Sequence, residues 1–370
     1  MKTIPMAKIK LNDQEISAAE RVLRSGALRQ GKECDAFEKE FAEKVGAKYA
    51  VTSANGSAAL HLAYMAFLQP GDEVLVPSFT FIATGGMVTA TGGKPVFCEI
   101  EEDTLLIDLE DAQKKITPQT KAIAPVHLFG NPCDVEAITG FAKRYKLKVV
   151  WDAAQAHGAT INGKDVGSFG DFTCYSFYPS KNMFVGEGGI TTTDDPELEQ
   201  KMRFMRSHGQ TGKYLHTMQG LNYRMTDVEA AIGREQLKRL DEMVQKRSTN
   251  AKKLNAGLAD FPGCKPQKIT TNAESAWHQY CFVVDPDGFG CQRDDLSEKL
   301  IQRGVANGVH YPRGLHQQPV FTDLYGEINL PVTEKICERI IAIPVHHGLE
   351  DGDVNYIIES IASIQGGGKP

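Results

Sequence analysis

The sequence predicts an α/β protein, with a mostly parallel, seven-stranded central sheet covered by helices and a smaller C-terminal α/β domain. Three observations carry this expectation. From about residue 48 to 195, short apolar runs alternate with helical patterns, as in a parallel sheet whose crossovers are helices. Those apolar runs lack strict alternation, which fits strands buried on both faces. The chain has 370 residues, too many for one minimal domain and suited to one large plus one small domain.

The elements follow in order. Tyr49–Ser53 reads as a strand and Ser57–Leu68 as a helix. Glu73–Pro77 is a strand, Ile82–Thr91 a helix despite its glycines, and Lys94–Ile100 a strand. Lys121–Leu128 is a strand and Val135–Tyr145 a helix. Lys148–Trp151, Asp171–Phe177 and Gly189–Thr193 complete the seven strands. Asp227–Lys253 is a long, charged, amphipathic helical stretch that bridges the domains. Beyond it, Trp277–Val284 and Ala306–His310 read as strands, with the helix Arg293–Arg303 between them. The boundary is placed near residue 245. Residues 1–245 form the large domain and 246–370 the small one, with segment 1–30 packing on the small domain. The Gly-rich tail Gln365–Pro370 is expected to be loose.

Composition narrows the function. The chain is 41% hydrophobic and 24% charged, which is ordinary for a globular protein. A net charge of -6 argues against nucleic acid as a partner. None of the eight cysteines forms a C-x-x-C or a Cys/His zinc spacing, so no metal site is expected and the thiols fit a reducing compartment. The N-terminus lacks the apolar core of a signal peptide, and no run approaches the ~18 apolar residues of a membrane span. A cytoplasmic protein without a membrane partner is expected.

Four features carry chemistry. In Ser176-Phe-Tyr-Pro-Ser-Lys181-Asn, a lysine sits in the loop beyond a strand, before Gly186-Glu-Gly-Gly189. Such a lysine can form an imine with an aldehyde cofactor, or it can be a surface lysine in a Gly-rich turn. In Val149-Val-Trp-Asp152-Ala-Ala-Gln155, an apolar strand ends in an acid, at the edge where open α/β sheets bind ligands. Asp152 can pair with a protonated pyridine nitrogen or cap the next helix, and Gln155 can bond a ring oxygen. Ser53-Ala-Asn-Gly56-Ser57-Ala58 joins a strand to a helix and suits a phosphate or an ordinary N-cap. Pro77-Ser-Phe79-Thr-Phe81 places aromatics after a strand, for stacking on a ring or for core packing. Their order decides: phosphate loop, aromatic, strand-end Asp, Ser and Lys is the layout of fold-type I pyridoxal-phosphate (PLP) enzymes.

With these motifs in place, the sequence resembles the sugar aminotransferases of the DegT/DnrJ/StrS family over nearly its whole length. The resemblance is carried by Leu28-Arg-Gln-Gly31, Asn55-Gly-Ser-Ala58, Pro77-Ser-Phe-Thr-Phe-Ile-Ala-Thr84 and Gly93-Lys-Pro-Val-Phe97. It continues through Asp152-Ala-Ala-Gln-Ala-His157, Ser176-Phe-Tyr-Pro-Ser-Lys181, Gly186-Glu-Gly-Gly189, Leu221-Asn-Tyr-Arg-Met-Thr-Asp227 and Ile343-Pro-Val-His346. By that resemblance, Lys181 looks like the Schiff-base lysine, Asp152 the partner of the pyridine nitrogen and Gln155 that of the ring hydroxyl. Gly56, Ser57 and Ser176 look like phosphate ligands, and Phe81 like the residue stacked on the ring. Asn222 resembles the asparagine that reaches the other subunit's cofactor, which implies a homodimer with shared active sites.

The resemblance implies transfer of an amino group from L-glutamate to a keto-sugar, nucleotide-linked, for a surface polysaccharide or a natural product. Lys213, His310, Tyr311, Arg313 and His316 are the candidates for sugar contacts, with Trp277-His278 beside them. One departure stands out: many members carry His-Pro-Thr before the lysine, whereas this chain has Tyr178-Pro179-Ser180. Two rivals share the fold. One is a sugar dehydratase, but relatives with that activity replace the lysine by His. The other is a non-catalytic regulatory protein, against which the intact lysine, aspartate and glutamine argue.

Overall fold

The computed structural model describes residues 2–365; the Gly-rich tail after Gln365 lies outside the described residues. Seven strands form the central sheet: β1 (Tyr49–Ser53), β2 (Glu73–Pro77), β3 (Lys94–Cys98), β4 (Thr120–Ile123), β5 (Lys148–Asp152), β6 (Phe172–Ser176) and β7 (Gly189–Thr193). Their order is β1-β7-β6-β5-β4-β2-β3. All pairings are parallel except those of β7, which runs antiparallel to both β1 and β6.

Burial on both faces explains the continuous apolar runs. In β5, Val149 and Trp151 face a core shared with the helix Val135–Tyr145, while Val150 faces the opposite core with the helix Gly56–Met65. The helix between β1 and β2 is apolar nearly all round and is buried accordingly. Among the described residues, no helix is long and apolar enough to cross a membrane.

Three segments differ from expectation. In Lys121–Leu128 the regular strand ends at Ile123 and only an isolated bridge, Val126 to Asp152, follows, because Pro125 lacks the N–H that a continuous ladder needs. Asp227–Lys253 is two helices, Asp227–Leu237 and Leu240–Leu258, separated at Lys238-Arg239. Ala306–His310 is not a strand: it makes only one bridge, Gly308 to Ala342. The smaller sheet instead takes Ile340–Ile343 as its edge, in the order Cys264–Pro266, Tyr280–Val284, Ile340–Ile343.

The helix Leu240–Leu258 spans two cores. Leu240 packs with the large-sheet residues Phe177 and Ile190, whereas Ala251, Leu254 and Leu258 pack with Tyr280, Phe282 and Ile341. The sequence-placed boundary at residue 245 falls between these two sets. The N-terminal segment contacts both parts. Ile4 bridges Val305 and joins the second core, while the helix Asp13–Ser25 packs on Asp227–Leu237.

A buried ionic network fixes the start of the sheet. Glu38, on the helix Lys32–Val45, accepts from Thr52 N at 2.9 Å and Thr52 Oγ1 at 2.7 Å. It also meets Arg206 Nη1 and Arg203 Nη1, each at 2.6 Å. Burial pushes the Glu38 carboxyl up, but the two arginines and Thr52 together hold it below its ordinary value. Glu38→Gln leaves two guanidinium groups facing a neutral amide and should cost about 3 kcal/mol in chemical denaturation. Because the folded pKa is depressed, Glu38's contribution is present above the unfolded carboxyl pKa of about 4.3 and is lost as pH falls. The variant should therefore show a shallower acid decline than the parent; an equal decline in both would refute this assignment.

Candidate active site

The carboxyl ends of β2, β5 and β6 open onto a cavity of about 630 Å³. Parallel strands end here in unpaired backbone and short loops, so polar side chains can gather without breaking the sheet. Asp152 closes β5 and is 5% exposed. Its Oδ2 accepts from the Thr84 hydroxyl at 2.7 Å, and its Oδ1 accepts from Ala154 N at 3.1 Å. Burial raises the Asp152 pKa; Thr84, Ala154 and the charge of Lys181 act against that rise.

Lys181 lines the same cavity. By surface area it is half-buried, because its head opens into the cavity rather than into bulk water. Desolvation lowers its pKa to about 8, and the attraction of Asp152 only partly offsets this. A lysine of ordinary pKa is almost wholly protonated near neutrality, whereas this one keeps a usable fraction as free amine.

One end of the cavity is an anion cradle. Asn55 caps the helix Gly56–Met65 by accepting from Ala58 N at 2.8 Å. The amides of Gly56 and Ser57 make no hydrogen bond among the described residues, and both residues line the cavity. A Cβ on Gly56 would lie 2.6 Å from the Ser176 Cβ, so only glycine lets this turn approach Ser176. The other walls come from Phe81, Gln155 and the segment around Tyr311. Phe81 is 55% exposed, with its ring centroid 6.3 Å from that of Tyr311. Gln155 accepts from Phe129 N at 2.7 Å and donates to the Tyr311 hydroxyl at 3.1 Å. Two free backbone amides beside two serines, an aromatic wall, an acid and a low-pKa amine thus share one enclosure.

The sequence profile of the DegT/DnrJ/EryC1/StrS aminotransferase family matches residues 10–362. The chain belongs to this family. It is 36% identical to a dTDP-3-amino-3,4,6-trideoxy-alpha-D-glucose transaminase of Streptomyces venezuelae, over 97% of this chain and 95% of that protein. The crystal structure of S. venezuelae DesV in complex with a ketimine intermediate superposes with a TM-score of 0.94 at 34% identity, covering 99% of each chain. The PLP-form of Spr1654 from Streptococcus pneumoniae gives a TM-score of 0.92 at 28% identity, over 99% of each chain. The fold is therefore that of the family's fold-type I aminotransferases.

Nine of the thirteen sequence-named residues meet in this cavity: Gly56, Ser57, Phe81, Asp152, Gln155, Ser176, Lys181, His310 and Tyr311. Four do not. His316 is 1% exposed and lies behind the wall, with Nδ1 2.6 Å from Ser78 Oγ and Nε2 3.1 Å from Glu334 Oε1. It is held there because the chain after Arg313 folds back under the end of β2, where Leu315 N donates to Ser78 O. Arg313 is exposed outside the cavity, and Lys213 is exposed on the hairpin Gln210–His216. Asn222 is exposed and bridges Ser207, also outside the cavity of its own chain.

Sequence reasoning did not single out Thr84 or Glu187 as site groups; Tyr178, noted there as a departure from the family pattern, lines the cavity. Thr84 sits on the first turn of Ala83–Ala90, and only the fold brings it to Asp152 across 68 residues of chain. Because desolvation lowers the Lys181 pKa, acetic anhydride at pH 7 should acetylate Lys181 at least about tenfold faster than the exposed Lys213. Its rate should level off above pH 8. Peptide mass spectrometry reads both, and preferential labelling of Lys213 would contradict the low pKa.

Proposed function

We propose that this protein is a PLP-dependent aminotransferase that moves an amino group from L-glutamate to a keto-sugar, nucleotide-linked, in amino-sugar biosynthesis. The product feeds a surface polysaccharide or a natural product, and the reaction runs in the cytoplasm. The observation that carries this reading is the placement of Lys181, Asp152 and the free amides of Gly56 and Ser57 around one cavity. Those groups fit PLP: two unbonded amides with the Ser57 and Ser176 hydroxyls for its phosphate, a buried acid for its ring nitrogen, and an amine for its aldehyde.

When bound, PLP supplies an electron sink for the carbon that bears the amino group. The remaining work falls to this chain. Asp152, desolvated and oriented by Thr84 and Ala154, would hold a proton on the ring nitrogen. Gln155 would orient the ring through its free amide hydrogen, since its oxygen is already taken by Phe129. Phe81 would cover one ring face. Lys181 would anchor the cofactor and, once released by the amino donor, move a proton at the donor's α-carbon.

We also propose a homodimer in which Asn222 reaches the cofactor of the partner subunit. Its exposure outside its own cavity supports this, as do the exposed apolar side chains of Tyr214 and Leu215 on the neighbouring hairpin. Lys181 itself supports transamination over dehydration, since the family's dehydratases are the members that lack this lysine.

The test is the visible spectrum of the protein with PLP. L-Glutamate should bleach the cofactor band, and a nucleotide-linked keto-sugar should restore it. Lys181→Ala should abolish the band, and borohydride should no longer fix cofactor mass to the peptide carrying residue 181. A band and turnover unchanged in Lys181→Ala would sink the assignment. For the shared site, Lys181→Ala and Asn222→Ala, each inactive alone, should recover up to about a quarter of the activity when exchanged into mixed dimers. No recovery after confirmed exchange would remove the cross-subunit role.

A further inference from the structure

The segment Ala276–Gln279 leads into the strand Tyr280–Val284 and walls the cavity through His278 and Gln279. It is held from two sides. On one, Ala276 N donates to Gly130 O and His278 N to Phe129 O, each at 2.9 Å. Gly130 has φ +94°, and a Cβ there would lie 2.8 Å from Trp277 N and 3.0 Å from His278 N. Only glycine allows that approach. On the other side, Arg247 Nη1 donates to Trp277 O and His278 O, each at 3.1 Å. Arg247 is 3% exposed and makes no salt bridge among the described residues, so its guanidinium serves backbone carbonyls rather than an acid.

The ring of His278 is fixed as firmly as its backbone. Its Nδ1 lies 3.3 Å from Asn182 Oδ1, and Asn182 Nδ2 donates to Ala276 O at 2.7 Å. That second bond orients the amide, so its oxygen faces the imidazole. An amide oxygen only accepts, so Nδ1 carries the proton and Nε2 carries a lone pair. Nε2 is accessible and makes no hydrogen bond among the described residues, and the residue lines the cavity that Lys181 also lines. Burial, reinforced by the nearby charges of Lys181 and Arg247, keeps the ring neutral.

A neutral acceptor of this kind has no use for a carboxylate or phosphate oxygen. It needs an O–H or N–H donor; L-glutamate's two carboxylates present none, and its amino group is the one being transferred. We propose that His278 is a substrate-recognising residue of the acceptor half-reaction, its Nε2 accepting a hydrogen bond from a sugar hydroxyl beside the carbon to be aminated. This rests on the sugar aminotransferase reading above. The cavity also holds donors of its own, among them the Lys181 ammonium and the Tyr178 and Tyr311 hydroxyls, and the test separates a sugar hydroxyl from Lys181.

The PLP-loaded enzyme is assayed by single turnover, first with L-glutamate, then with the dTDP-, UDP- and GDP-linked 4-keto-6-deoxyhexoses. The sugar that the parent turns over is then compared with its 2-deoxy and 3-deoxy analogues. His278→Phe should lose about tenfold in kcat/KM on the parent sugar, mainly through KM, and nothing on the analogue that lacks the recognised hydroxyl. His278→Gln, whose side-chain oxygen also accepts, should recover part of the loss. The glutamate half-reaction should keep its rate within about twofold. Equal losses on the sugar and both analogues overturn the proposal, and a slowed glutamate half-reaction assigns His278 to Lys181 instead. If glutamate reacts but no sugar does, the underlying reading fails and takes the proposal with it. Independently of any sugar, ¹⁵N spectra should show a pyridine-type Nε2 at His278 from pH 6 to 8, assigned by its loss in His278→Gln. A protonated Nε2 would overturn the proposal.

Discussion

Asp152 is a carboxylate that water barely reaches, and the rest of the site is organised around that constraint. Burial alone would drive it toward the neutral acid. The Thr84 hydroxyl and the Ala154 amide resist this, each donating to one oxygen. Lys181 resists it as well, and in return the carboxylate keeps the lysine from falling further than about 8. Thr84 and Ala154 act on the acid more strongly than Lys181 does, and the attraction between acid and lysine adds to their effect. The two groups share one enclosure, suited to a task in which one member holds a proton and the other moves one.

The sheet supplies the geometry for that unit. β5 and β6 are neighbours and β2 lies one strand beyond β5, across β4, so Phe81, Asp152 and Ser176 converge at one edge although 95 residues of chain separate the first from the last. The helix Gly56–Met65 starts at the edge of the same opening, which brings two free amides and the positive end of a helix dipole to the cavity. Glu38 secures this corner from behind. By binding Thr52 and both arginines of Pro196–Arg206, it locks β1 just before the turn that forms the cradle. A buried ion pair is weak support for stability in general. Here its value is positional, because a shift at Thr52 would carry Asn55 and Gly56 with it.

The parts legible in the sequence are those whose signal is local. Glu73–Pro77, Val135–Tyr145 and Gly189–Thr193 run between the residues named from periodicity, because burial on two faces and clear turn residues bound them. Ala306–His310 failed because a short apolar run only becomes a strand where a neighbour pairs with it, and Ile340–Ile343 already serves as the edge beside Tyr280–Val284. The long stretch after Asp227 failed at Lys238-Arg239, where no Gly or Pro marks the break. In the site, the strand-end Asp152 and the loop Lys181 were readable because motif order implies a shared edge. Thr84 was not, since its partner is set by tertiary packing. His316 drew attention as a titratable residue near Tyr311, yet its ring is consumed by Ser78 and Glu334. Spacing places a residue near a site; only the chain's turn after Tyr311 decides which side of the wall it takes.

Ping-pong amino transfer asks one cavity to accept two unlike molecules in turn. The proposed donor carries two carboxylates, whereas the proposed acceptor offers mostly hydroxyls. The wall contributed after residue 270 suits the second. His278 and His310 are held neutral, chiefly by burial and then by the charge on Lys181, and the Tyr311 phenol is kept protonated by its own burial. Such a surface presents lone pairs and an O–H without net charge, so it offers a carboxylate no ion pair and matches the mixed donors and acceptors of a polyhydroxylated ring. The carboxylates of the donor must then be met elsewhere, from the rim or across a subunit boundary. That division lets each half-reaction be tuned without disturbing Asp152 and Lys181, which both must share. It also gives the buried Arg247 a physical rationale. A guanidinium devoted to two backbone carbonyls holds the neutral wall rigid, while its charge, added to that of Lys181, keeps His278 from ever becoming a cation.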